Sequence, residues 1–241
     1  MYNNWDKLYK RANRRNFPEV KGEVACFGMG GSGVICDIMN AFYPFKKDIE
    51  DTFTLIAISY SGNTRETLQV VNEALQDGKK VIVITSGGQL EKLAEDEDIY
   101  LILLRKGYQT RYAFPLLFLP VVKMLRPDLA KDVIEGVNSE KATNLAKELL
   151  EFIRGKIPVF YGSTYLGLAK RFKQEINENA KWPAFFGEIP EVYHNEVESY
   201  KHGEMLAPVV FSSSEEDELL EKVTNAKIIK VSGIRDVSLL V

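Results

Sequence analysis

The sequence predicts an α/β chain of two subdomains in tandem, each a doubly wound parallel sheet flanked by helices. Three observations carry that reading. Between residues 24 and 104, short apolar runs alternate with stretches of helical periodicity, the order that βα units give. The run Leu55-Ile56-Ala57-Ile58 is apolar at every position, as a strand covered by helices on both faces must be. Near residue 157 the pattern restarts with a strand–Gly–Ser–helix unit that echoes residues 24–42, a weak internal duplication. The first subdomain is placed at residues 1–135 and the second at 136–241.

The elements follow in order. Residues 4–16 read as a basic, partly amphipathic helix, 24–27 as a short strand and 33–42 as a helix. Residues 54–59 form the second strand. The helix over 64–77 carries Leu68, Val71 and Leu75 on one stripe and is closed by Gly78. Residues 80–85 are the third strand, followed by Ser86-Gly87-Gly88 and another helix; 99–104 are the fourth. Residues 115–155 are mostly helical with a break at Pro127, and join the two halves. The second half opens with a strand at 157–161, the loop Gly162-Ser163-Thr164 and a helix over 165–180. Strands at 209–211 and 228–231 follow, with a turn at 212–216 leading into a helix between them. The chain closes on the apolar Leu239-Leu240-Val241, which reads as a C-terminal truncation.

Composition narrows the function classes. A 241-residue chain with 45% apolar and 27% charged residues can bury a substantial core, which sets aside disordered and fibrous classes. Lys and Arg number 31 against 34 Asp and Glu, a net charge of −3, so there is no electrostatic case for nucleic acid or an anionic membrane as partner. The two cysteines, Cys26 and Cys36, form no CxxC pair, so buried free thiols in a reducing compartment are expected rather than a metal site or a disulfide. The N-terminal Met1-Tyr2-Asn3-Asn4-Trp5-Asp6-Lys7 lacks the apolar core of a leader peptide. No apolar run approaches the roughly 18 residues of a membrane span, and a cytoplasmic location is expected.

Two segments in the first third carry the chemistry. In Phe27-Gly28-Met29-Gly30-Gly31-Ser32-Gly33, Gly30 and Gly31 let backbone N–H groups approach an anion, and Ser32 adds a hydroxyl at a helix N-terminus. In Ser59-Tyr60-Ser61-Gly62-Asn63-Thr64, Ser59 and Ser61 alternate around Tyr60 and Thr64 caps the next helix. Together they form a phosphate grip without a Walker lysine. The plainer reading makes Ser61 and Thr64 ordinary helix caps and the glycines spacers for helix–strand packing. A dinucleotide fingerprint is the other competitor, because Gly28 to Gly33 satisfies GxGxxG. That motif expects an acidic residue ending the second strand, whereas Asp48, Glu50 and Asp51 precede it.

Acid–base groups are few. Of the two histidines, His194 follows Pro190 in a polar segment at an expected helix start, and His202 reads as a helix C-terminal residue. Glu178, flanked by Asn179 and Lys181, lies near the end of the expected helix over 165–180. A carboxylate held beside a substrate carbon can shuttle a proton between adjacent carbons, and a histidine can handle a ring oxygen. An exposed helix glutamate and a surface histidine are the plainer readings.

Taken in order, Gly28-Met29-Gly30-Gly31-Ser32-Gly33, Ser59-Tyr60-Ser61-Gly62-Asn63-Thr64, Glu178-Asn179-Ala180-Lys181 and Pro190-Glu191-Val192-Tyr193-His194-Asn195-Glu196 make a series over nearly the whole chain. It resembles the bifunctional phosphoglucose/phosphomannose isomerase family of the sugar isomerase (SIS) fold. The resemblance implies two flavodoxin-like SIS subdomains and interconversion of glucose 6-phosphate or mannose 6-phosphate with fructose 6-phosphate, with no metal or redox cofactor. It implies that Gly31, Ser32, Ser59, Ser61 and Thr64 bind the substrate phosphate. Glu178 would move a proton between C1 and C2 through a cis-enediol, and Arg111 would stabilise the enediolate. His194 would assist ring opening, reaching the site from the partner subunit of a homodimer. Two departures stand out: residues 42–51 leave no room for a further strand before the second one, and the chain stops before the C-terminal helix whose lysine acts in the family's site. Lys227 and Lys230 are too early to replace that lysine. A sugar-phosphate-binding SIS module without catalysis is the alternative. It would keep Ser59, Ser61 and Thr64 without needing Glu178 and His194.

Overall fold

A computed structural model describes residues 5–241. Residues 1–4, which enter the leader-peptide argument and begin the helix expected over 4–16, lie outside the described residues. The chain divides into two compact units, Met1–Ala130 and Lys131–Val241; this division and the boundary expected after residue 135 lie in the same short helix, Ala130–Gly136.

In the first unit the order is α1 (Trp5–Asn13), β1 (Val24–Gly28), α2 (Gly30–Met39), β2 (Thr54–Ile58), α3 (Arg65–Gln76), β3 (Lys80–Thr85), α4 (Gly88–Asp96), β4 (Tyr100–Leu103) and α5 (Phe114–Leu125). The four strands lie side by side in the order β1-β2-β3-β4, all parallel. Residues 42–51 add no strand, so β1 is an edge. Side chains alternate across the pleat. Ala25, Leu55, Ala57, Val81 and Val83 pack on one face against Val71 and Ala74 of α3 and Leu90 and Ala94 of α4. Cys26, in register with Ile56 and Ile82, points to the other face and is joined to Cys36 of α2. Helices therefore cover both faces, which is why β2 is buried at every position. On the α5 side, Trp5 stacks on Phe114 with ring centroids 5.6 Å apart, fixing α1 on α5.

The cysteine expectation is corrected here. Cys26 and Cys36 form a disulfide, and both residues are half-buried. Spacing rules look for paired cysteines close in sequence. Here α2 folds straight back over β1, so a strand residue and a helix residue ten positions on come to a Cα separation of 5.5 Å.

The second unit contains α6 (Ala130–Gly136, whose first residue ends the first unit), α7 (Ser139–Ile153), β5 (Ile157–Gly162), α8 (Leu166–Glu175), β6 (Phe185–Glu188), β7 (Leu206–Ser212), α9 (Glu215–Thr224), β8 (Lys227–Lys230) and α10 (Ile234–Leu240). Its parallel sheet has the order β6-β5-β7-β8. The expected helix over 165–180 is regular only to Glu175; Ile176–Ala180 opens into a π-turn, ended by Lys181 in the left-handed region at φ 56°. β6 has no counterpart in the sequence reading. The C-terminal apolar residues belong to α10, which packs on α6 so closely that a Cβ on Gly136 would lie 2.4 Å from the Arg235 carbonyl. Arg235 bonds Asp132 of α6 at 2.8 Å and also pairs with Glu135. No helix among the described residues is long and apolar enough to cross a membrane.

Candidate active site

The first unit gathers its loops at the C-terminal ends of the strands, the usual ligand edge of a parallel sheet. Gly28 and Gly33 serve packing: a Cβ on Gly28 would stand 2.7 Å from the Ile58 carbonyl, and one on Gly33 2.4 Å from the Gly28 carbonyl. Gly30 takes the left-handed turn at φ 53°. Gly31 lies against the short 3-10 turn Thr110–Ala113, since a Cβ there would come within 3.7 Å of the Arg111 backbone nitrogen. Arg111 is half-buried, its guanidinium 4.9 Å from the centre of the Tyr112 ring.

The four hydroxyls sort into two kinds. Ser32 and Ser59 are buried and hold the loops together. Ser32 Oγ accepts from the Tyr60 N–H at 3.2 Å, tying the first loop to the second. Ser59 Oγ accepts from the Gly62 N–H at 3.2 Å and shares a 3.0 Å bond with Thr64 Oγ1. Ser61 is exposed, and among the described residues its hydroxyl accepts only a long 3.3 Å bond, from the Asn63 N–H. Thr64 occupies the N-cap position of α3 without making a side-chain cap, because its hydroxyl turns to Ser59. The first N–H groups of α3 therefore stay available to an anion, with the helix dipole behind them.

A third loop completes the cluster, and sequence reasoning did not assign it to the site. Ser86 Oγ donates to the Tyr60 carbonyl at 2.7 Å, and Gln89 N–H donates to Asn63 Oδ1 at 3.1 Å. Gly62 and Gly87 are in van der Waals contact; a Cβ on Gly62 would sit 1.7 Å from the Gly87 carbonyl. The signal was a Ser-Gly-Gly at the end of a strand, the same signature that marked the first two loops. Tyr60 anchors the whole: its phenol donates to the Arg105 carbonyl at 2.7 Å and accepts from the Tyr108 N–H at 3.1 Å, and burial raises its pKa.

In the second unit Glu178 is half-buried within the π-turn, where Lys181 Nζ bonds its carbonyl at 2.6 Å. His194 is exposed and ends the 3-10 turn Glu191–His194 rather than starting a helix. Two residues on, Glu196 accepts from the Tyr161 hydroxyl at 2.8 Å, and Tyr161 shares a 2.9 Å bond with Tyr200. This network fastens the segment after His194 to β5. Burial is the main cause that raises both phenols, Tyr200 to about 12. His202 ends the 3-10 stretch Glu196–His202 and is exposed.

Known proteins identify the family. Residues 39–110 match the SIS domain and residues 142–236 the bacterial phospho-glucose isomerase C-terminal SIS domain. The chain is 38% identical to a D-glucosamine-6-phosphate 4-epimerase of Sulfolobus acidocaldarius, over 95% of this chain and 82% of that protein. It is 34% identical to a bifunctional phosphoglucose/phosphomannose isomerase of Aquifex aeolicus, over 86% of this chain and 69% of the other. In fold it is similar to the tagatose-6-phosphate ketose/aldose isomerase of Escherichia coli, with a TM-score of 0.64, 18% identity, and coverage of 98% of this chain and 79% of that one. With one isomerase-family domain matched over most of the second unit, and identity above 30% carried across two thirds or more of the Sulfolobus and Aquifex proteins, the chain belongs to the bifunctional phosphoglucose/phosphomannose isomerase family of SIS-domain enzymes.

Proposed function

We propose that the protein interconverts glucose 6-phosphate or mannose 6-phosphate with fructose 6-phosphate. The observation that carries the phosphate half is the α3 entrance. Its N-cap threonine is turned to Ser59, leaving helix N–H groups and the exposed Ser61 hydroxyl for a phosphoryl oxygen. Gly31, Ser32, Ser59, Ser61 and Thr64 form this grip, Ser32 and Ser59 by setting the loop shape. Glu178 takes the C2 proton of the aldose and returns it to C1. The proton lost from O2 is gained at O1, so the cis-enediol closes to the ketose with atoms and charge balanced. Arg111 stabilises the negative charge that develops on the enediolate oxygens. His194 assists ring opening, contributed by the partner subunit of a homodimer. None of these steps calls on a metal or redox cofactor.

The 38% identity to the epimerase, above the 34% to the Aquifex isomerase, favours a second reading: inversion at a carbon of an amino-sugar phosphate. One assay separates the two. Purified protein is offered fructose 6-phosphate and, separately, glucosamine 6-phosphate, with EDTA present, and the products are resolved by NMR. Aldose phosphates from the first substrate support the isomerase; a new hexosamine 6-phosphate alone supports the epimerase. Glu178→Gln should lower kcat by about 10²–10⁴-fold with phosphosugar affinity kept. Equal loss of turnover and affinity would rule out the base role. Mixing inactive Glu178→Gln and His194→Ala subunits should restore partial activity if the histidine crosses between protomers; no recovery in a verified heterodimer argues that both act from one chain.

A further inference from the structure

The turn that carries Glu178 is held by a charged pair that none of the steps above uses. Arg171 on α8 is 1% exposed, and a buried guanidinium is tolerated only where a counter-charge and hydrogen bonds satisfy it. Its Nη2 lies 2.7 Å from Oε1 of Glu175, the last residue of α8. The other carboxylate oxygen of Glu175 accepts from Asn179 Nδ2 at 2.5 Å. Asn179 lies inside the π-turn and follows Glu178 directly. One carboxylate thus bridges a buried arginine one turn back and an amide one turn on, across the widened ring of the π-turn. On the far side Asn177 Nδ2 donates to the Trp182 carbonyl at 2.9 Å, and Lys181 Nζ donates to the Glu178 carbonyl at 2.6 Å. The backbone of Glu178 is therefore fixed from both directions. The π-turn is a rare local departure from regular helix, and a change to the α-helical register would rotate Glu178 about the helix axis.

We propose that Glu175, anchored by Arg171 and acting through Asn179, is a positioning residue that holds the π-turn and aims the Glu178 carboxylate. This rests on Glu178 as the proton-transferring base. Misplacing such a group by about 1 Å costs on the order of 100-fold in rate without weakening phosphate binding.

The test compares Glu175→Gln, Asn179→Ala and Glu178→Gln with the wild type, on whichever of fructose 6-phosphate and glucosamine 6-phosphate the wild type converts. Asn179→Ala leaves the buried Arg171–Glu175 pair intact, so it stays informative if changing Glu175 prevents folding. Amide hydrogen exchange over residues 176–181 gives a readout that needs no turnover. Both positioning variants should lower kcat by about 10–100-fold at a KM within about twofold, and should speed exchange at 176–181 while α7 and β5 keep wild-type protection. Wild-type kcat in both, or exchange at 176–181 unchanged, overturns the proposal. So does a parallel loss of protection across the whole unit, which marks a merely structural pair. Full turnover by Glu178→Gln overturns the base reading on which the proposal stands, and is recognised because it appears in that variant itself.

Discussion

The loops at the strand ends of the two units follow one plan and satisfy their hydroxyls differently. In the first unit the hydroxyls of Ser32 and Ser59 bond backbone N–H groups and Thr64; none of the loop hydroxyls at 32, 59, 61 and 64 bonds a carboxylate among the described residues. In the second, each of two loops carries its own anion. After β7, the Ser213 N–H and hydroxyl both donate to Asp217 Oδ2, at 2.7 and 3.0 Å, and Ser214 caps α9 by accepting from the Asp217 N–H. After β8, the Ser232 N–H and hydroxyl donate to Asp236 Oδ2 at 2.8 and 2.6 Å. An aspartate in the first turn of a helix supplies the negative charge that the helix N-terminus favours. These two loops of the second unit are satisfied internally, whereas among the described residues the N-cap Thr64 of α3 makes no side-chain cap and Glu66 stands in the first turn of that helix. On the proposed reading, a carboxylate three residues into the helix occupies the loop in the second unit where the first would take an outside anion.

The largest test of that contrast is Gly62→Ala. The added methyl would overlap the Gly87 carbonyl, and φ at Gly62 is 69°, which an alanine resists. The loops must part, so urea unfolding should show a loss of about 3 kcal/mol and phosphosugar affinity should collapse. Wild-type affinity in this variant would mean that the interlock of the second and third loops does not shape the site.

That interlock also shows where sequence reading stops. Strands buried on both faces write themselves as apolar runs, and glycines at their ends mark the loops, so β2, β3, β5 and the first two loops were legible; the edge strands β1 and β4 were legible because their residues stay apolar, although β4 is partly exposed. β6 was not: Phe185 and Phe186 are largely exposed on an edge strand, so no apolar alternation announces it. The disulfide depends on α2 folding over β1, a contact no spacing rule encodes. The π-turn at 176–180 has no residue signature, although two of the residues it presents, Glu178 and Asn179, were singled out by resemblance. Ser86-Gly87-Gly88 was seen as a loop, but its part in the site appears only through the Gly62–Gly87 approach.

The next effect belongs to the second unit. Asp217→Ala would leave the Ser213 N–H and hydroxyl without their acceptor in a position that is 1% exposed, a cost of about 2 kcal/mol in chemical unfolding. Phosphosugar affinity should not change, measured by isothermal titration. A large affinity loss would place the anion site in the second unit and reverse the comparison. Ser61→Ala is the converse: stability should hold, because the hydroxyl is exposed and weakly bonded, while affinity falls about tenfold. Unchanged affinity would count against Ser61 as a phosphate ligand.

The smallest effect at neutral pH is expected for Tyr200→Phe, and it sharpens the contrast at alkaline pH. In the first unit the Tyr60 hydroxyl bonds backbone groups, the Arg105 carbonyl and the Tyr108 N–H, whereas Tyr161 in the second bonds a carboxylate and a second phenol. Loss of the Tyr200 hydroxyl removes one hydrogen bond and leaves Tyr161 bonded to Glu196, so the cost at pH 7 is about 1 kcal/mol. A phenol whose folded pKa lies above the unfolded value of about 10 contributes fully below that pH, and its contribution is lost as pH rises toward the folded value. For Tyr200, raised to about 12, the window is about pH 10 to 12. Wild-type stability should therefore fall across that window, and Tyr200→Phe should fall less steeply, by up to about one proton's worth of slope. Identical alkaline slopes in the two proteins would mean that the Tyr161–Glu196–Tyr200 network opens before the phenols titrate, and that the segment following His194 is held by its 3-10 turns alone.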